Sequence, residues 1–166
     1  MANDIRWRYG TTTTITASVA SLASDTNLLA GIESSIVNNE TDGFEDHILS
    51  GKFTTGTSPT TSRQIEVWAV AWDSSAWPDV FDGTSSAETI TSSEIKNALC
   101  KAVVVLPTNN TSDRTYSFTG VSMKTVFGGV LPSRYVLFVV HNTGVALNAT
   151  AGNHELRYQG IYPQVQ

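Results

Sequence analysis

The stretch Ile65-Glu66-Val67-Trp68-Ala69-Val70-Ala71-Trp72 reads as a β-strand with no free face. Successive side chains of a strand point to opposite faces. One face carries Ile65, Val67, Ala69 and Ala71, the other Glu66, Trp68, Val70 and Trp72. Apolar residues on both faces predict a central strand whose outer face is covered by a loop or by another subunit. Tyr135 to Val140 has the same two-faced character, and Ala102 to Leu106 is apolar until Pro107 stops it. The remaining strands look half-buried. Ile15, Ala17 and Val19 alternate with Thr14, Thr16 and Ser18, and Tyr116 and Phe118 alternate with Thr115, Ser117 and Thr119. The last strand, about 154–162, directs Leu156, Tyr158 and Tyr162 one way and Glu155, Arg157 and Gln159 the other. Residues 32–38 form a further strand. From Phe44 to Thr55 the alternation breaks, and a β-bulge near Ser50-Gly51 reconciles its two halves.

Between these strands lie turn-rich segments, of which Asp73 to Thr89 is the longest. Thr91-Ser92-Ser93-Glu94 is a capping-box pattern ahead of Ile95 to Leu99, and Met123 to Phe127 suits a single helical turn. No long amphipathic helix separates the strands, which excludes a parallel α/β fold. The expectation is an all-β fold: an antiparallel β-sandwich, jelly-roll-like, with eight or nine strands and at most one or two short helical turns. Two segments are expected, an N-terminal arm over residues 1–10 and a single sandwich domain over 11–166.

Composition agrees. The 166 residues include 22 Thr and 18 Ser, strand and turn formers respectively. Charged residues make up 15% of the chain, low for a soluble domain, and the net charge is −5. Without a cluster of Lys and Arg, no nucleic-acid partner is expected. No apolar run is long enough for a membrane span, and the first ten residues lack a signal-peptide core, so synthesis in a cytoplasm is expected. The lone Cys100 excludes an internal disulfide and reads as a small buried hydrophobe.

Catalytic patterns are absent: no Gly-x-Ser-x-Gly elbow, no phosphate loop and no dinucleotide fingerprint. His47, His141 and His154 are far apart without metal-ligand spacing and read as structural or surface residues. Asp73, Asp79 and Asp82 share a loop but lack the alternation of an EF-hand, so they read as turn formers. Neither an enzymatic activity nor a metal or other cofactor is expected. The aromatic surplus is the informative feature. Trp68, Trp72 and Trp77 suit either packing under the Trp77 loop, a subunit contact or sugar stacking. Arg6, Trp7, Arg8 and Tyr9 place two cations and two amphipathic rings on the arm, to fold back over the sandwich or to reach a neighbour. These seven residues are the expected interface.

Several turn signatures carry a family resemblance. They are Ala20-Ser21-Leu22-Ala23-Ser24-Asp25-Thr26-Asn27-Leu28-Leu29-Ala30-Gly31, Leu49-Ser50-Gly51-Lys52, Gly56-Thr57-Ser58-Pro59 and Trp77-Pro78-Asp79-Val80, with the strand segment Ile65-Glu66-Val67-Trp68. Ser92-Ser93-Glu94-Ile95-Lys96-Asn97, Phe127-Gly128-Gly129-Val130-Leu131-Pro132 and His141-Asn142-Thr143-Gly144-Val145 extend it. Together they resemble a family of small virion structural proteins of tailed bacteriophages. The resemblance implies a non-enzymatic decoration or cement protein on the capsid exterior, bound to the major capsid protein and to itself, with a homotrimer expected. A carbohydrate- or receptor-binding module of a fibre is the alternative.

Overall fold

The computed structural model describes residues 4–72 and 75–165. Among them, ten strands form two antiparallel sheets. The strands are β1 (Ile5–Ile15), β2 (Ala30–Glu33), β3 (Val37–Asn38), β4 (Asp46–Thr54), β5 (Arg63–Ala71), β6 (Ala87–Thr89), β7 (Lys101–Thr108), β8 (Thr115–Ser122), β9 (Arg134–His141) and β10 (Glu155–Val165). Helices α1 (Ser93–Leu99) and α2 (Met123–Val126) are short. One sheet has the order β1-β10-β4-β8 and the other β6-β2-β9-β5-β7, with β3 beside β9. Leaving out the short β3 and β6, every connection crosses between the sheets except β5 to β7. That is a jelly roll, two Greek keys folded into facing sheets.

The core between the sheets holds Ile15, Leu49, Phe53, Ile65, Val67, Ala69, Tyr135, Leu137, Val139 and Leu156. A second apolar cluster lies on the outer face of β5 and β9. Val70, Val136, Phe138 and Val140 pack there against Phe81, Ile90 and Cys100. The cover over β5 is therefore the chain's own excursion between β5 and β7. This excursion also pins a buried ion pair: Lys96 Nζ donates to Glu66 Oε2 at 2.9 Å and to the Leu28 carbonyl at 2.7 Å.

Local detail follows the sequence closely in places. The register of β4 on β8 shifts between Leu49 and Gly51, at the expected bulge. The expected helix α1 is present, capped one residue later than the box places it, with Ser92 Oγ accepting from the Ile95 amide. Elsewhere it differs. The strand expected over residues 32–38 is two pieces, β2 and β3. Pro107 does not stop β7, because among the described residues β7 is an edge strand paired with β5 alone, and an edge tolerates a residue without an N–H. Residues 5–10, read as an arm that folds back over the sandwich or reaches a neighbour, form the first half of β1, laddered onto β10 of the same chain. Asp73 lies outside the described residues.

Because β9 is buried on both faces, truncation should cost alike on either side. Leu137→Ala, facing the inner core, and Phe138→Ala, facing the outer one, are each expected to lose about 2–5 kcal/mol in denaturant titration. An outer face open to solvent would leave Phe138→Ala within about 0.5 kcal/mol of wild type.

Candidate functional site

The longest strand pair is also the most exposed. β10 pairs with β4 only as far as Ile161 opposite Asp46, whereas its pairing with β1 continues to Val165 opposite Ile5. Residues 5–8 and 162–165 thus form a two-stranded ribbon extending beyond the last β4–β10 pair. Between Tyr9 and Thr12 the register of β1 shifts. One extra residue in β1 exchanges the faces of everything before it. From Thr12 to Ile15, β1 sends Ile15 into the core. After the shift, Ile5, Trp7 and Tyr9 stand opposite Val165, Pro163 and Ile161, on the face turned away from the core. Without the shift those rings would share the core-facing parity of Ile15.

That outer face of the ribbon is apolar and open. Ile5 is 71% exposed, Trp7 60%, Tyr9 64% and Val165 60%. Beside it, Trp7, Tyr9 and Ile161 border a hollow of about 310 Å³ completed by Glu45, Asp46 and Lys124. Asp46 is held by the Ser122 hydroxyl at 2.6 Å and the Lys124 amide at 2.8 Å, while the Lys124 ammonium pairs with Glu45. The opposite face carries Arg6 and Arg8 across from Gln164 and Tyr162. Arg8 Nε donates to Gln164 Oε1 at 3.0 Å, and Arg6 approaches Asp4 at 3.9 Å. Arg6, Trp7, Arg8 and Tyr9 are therefore brought together, as the sequence suggested, but on two opposed faces.

The other three expected interface residues are half-buried and lie elsewhere. Trp68 packs against the outer cluster, donating from Nε1 to Glu66 Oε2 at 2.7 Å beneath the Lys96 ammonium, 4.6 Å from its ring centre. Trp77 packs against the same cluster, and Trp72 lies under the Arg134 guanidinium at 4.4 Å. One face of Trp68 and of Trp72 is thus occupied by a cation of the same chain. Sequence reading missed Glu66 and Lys96 as a buried pair; the sign was an acid on the outer parity of a strand otherwise apolar there.

The histidines serve the fold. His47 Nδ1 meets the Tyr135 hydroxyl at 2.9 Å, and burial lowers its pKa to about 4. His141 Nε2 lies 2.9 Å from the Leu22 carbonyl oxygen, and His154 Nε2 lies 2.8 Å from that of Asn148. Burial pushes the Cys100 thiol up to about 11, so it stays protonated. Glu33, Asp82 and Glu88 converge, but the Glu33 carboxylate already accepts from the amides of Asp82 at 3.1 Å and Gly83 at 2.7 Å. Burial, reinforced by the charges of Asp82 and Glu88, raises Glu33 to about 7. None of the described helices is long and apolar enough to cross a membrane. Comparison with known protein families and with curated proteins finds no match.

A folded-state pKa above the unfolded value means that the contribution of Glu33 to stability is full at acid pH. It is lost as pH rises from about 4.5 to about 7. The buried histidines act in the opposite sense, so the Glu33 effect is read as a difference between proteins. The melting temperature of Glu33→Gln relative to wild type should rise across that window and level off above it. A difference independent of pH would contradict the assignment.

Proposed function

We propose that this chain is a non-enzymatic structural subunit of a bacteriophage virion, a decoration or cement protein that binds the major capsid lattice through its β1–β10 ribbon. The observation carrying this reading is the exposed stripe of Ile5, Trp7, Tyr9 and Val165 on a laddered, preorganised element. Contiguous apolar patches on that scale mark contact surfaces. Two amphipathic rings fixed in a strand lose little freedom when a partner covers them. The turn signatures that resemble virion structural proteins, and the sandwich built without disulfides, support the same reading. The buried polar groups of the jelly roll hold the chain together: His47, Glu33 and the Glu66–Lys96 pair all serve as structural partners.

Trp7→Ala and Tyr9→Ala should each leave thermal stability near wild type, since both side chains are exposed. Co-sedimentation with undecorated phage heads should weaken at least about tenfold, the loss expected for a buried aromatic anchor. Wild-type protein that ignores heads, or variants that bind as tightly as wild type, would overturn the reading. Retention on a glycan array that is lost in the same variants would favour the fibre module instead.

A further inference from the structure

We propose that the hollow beside Trp7 and Tyr9 is a guanidinium site, and that its occupant is Arg6 or Arg8 of a second copy of this chain. The inference rests on the ribbon being the working surface and names what one ribbon meets first. The hollow has the chemistry that guanidinium groups seek. Two aromatic rings, Trp7 and Tyr9, border it, and the carboxylates of Glu45 and Asp46 stand in its wall. Lys124 offsets one of those carboxylates, leaving one unbalanced negative charge. A planar cation that stacks on a ring while forking onto a carboxylate fits such a place better than an ammonium does.

The same ribbon presents the complementary group on its other face. Arg6 and Arg8 alternate with the aromatic residues, so they point away from the hollow of their own chain. Among the described residues Arg8 meets no carboxylate, only the side-chain amide of Gln164. Elsewhere the chain already joins cations to aromatic rings, Arg134 over Trp72 at 4.4 Å and Arg114 over Tyr116 at 5.7 Å. On the ribbon both halves of such a contact exist, and neither can reach the other within one copy.

Site and occupant on opposed faces make the contact heterologous: the arginine face of one ribbon lies on the aromatic face of the next. Pairing two β1 edges antiparallel about Trp7 would instead set Arg6 of one copy opposite Arg8 of the other, and like charges across a strand pair repel. A heterologous contact closes into a ring when its rotation allows, and three copies make the smallest such ring. The stripe alone is on the order of 500 Å². A stable interface needs about 800 Å² from each partner, so the charged rims must contribute. That makes the arginines and the net negative charge of Glu45, Asp46 and Lys124 necessary to the contact as well as the rings.

The test is sedimentation velocity on the full chain, with charge reversal. Wild type should sediment at about three times the 17.9 kDa chain mass. Arg6→Glu/Arg8→Glu should dissociate to monomer, as should Glu45→Arg. An equimolar mixture of these two variants should reassociate, because the reversed faces match each other. Circular dichroism melts of the separate variants identify any that lose the fold, and Arg8→Gln provides a milder variant expected to weaken association at least about tenfold. Reversed variants that assemble like wild type, or a mixture that stays monomeric, would overturn the inference. So would a wild-type chain that is monomeric yet pellets with phage heads, an outcome that leaves the capsid-binding reading standing. A chain that forms the ring and ignores heads supports the inference while removing the other reading.

Discussion

The two-sided burial of β5 and β9 governs the rest of the molecule. Tyr135, Leu137 and Val139 point one way from β9 and Val136, Phe138 and Val140 the other, and all six are fully buried. A strand of that kind needs two covers. The sheet containing β4 and β10 is the first. The second is the excursion that carries β6 and α1, held down by Phe81, Ile90 and Leu99 and by the Glu66–Lys96 pair. A buried ion pair of this sort contributes little net stability, because desolvating both charges offsets their attraction. It acts on placement: α1 can lie only where Lys96 reaches both Glu66 and the Leu28 carbonyl.

Since the chain covers both faces of its central strands itself, the two-faced strand does not call for another subunit. The apolar surplus that remains is concentrated on the ribbon, which holds Ile5, Trp7, Tyr9 and Val165 among the seven large apolar residues left exposed in the described part of the chain. A single register shift puts it there. With the faces restored, Trp7 and Tyr9 would follow Ile15 towards the core side, where Phe44 already lies over Gly160. Among the described residues the ribbon thus carries most of the exposed large apolar side chains, and the proposed role in a lattice builds on that geometry.

Much of the fold was legible in the residues because strand periodicity reports burial directly. The sandwich class, the bulge near Gly51, the capped α1 and the two-faced β5 all follow from local patterns. What periodicity does not report is which strands are neighbours. The edge position of β7, and with it the tolerance of Pro107, depends on long-range pairing. So does the pairing of residues 5–9 with 161–165, which lays the expected arm along β10 of its own chain. The clustering of Arg6, Trp7, Arg8 and Tyr9 was visible in sequence; their division between two faces was not, since a bulge can be located only against a partner strand. Grouping Trp68, Trp72 and Trp77 by residue type was misleading for a related reason. Their ring faces meet Lys96, Arg134 and the outer cluster, contacts made across the fold.

The central claim is that the ribbon is where this chain meets its neighbours on a particle. Hydroxyl-radical footprinting of the protein free and bound to phage heads tests it most directly. At concentrations low enough for the free chain to be monomeric, Trp7 and Tyr9 should be readily oxidised in free protein and protected when bound, while Trp68 and Trp77 change little. Bound protein in which Trp7 and Tyr9 keep their free reactivity would contradict the claim.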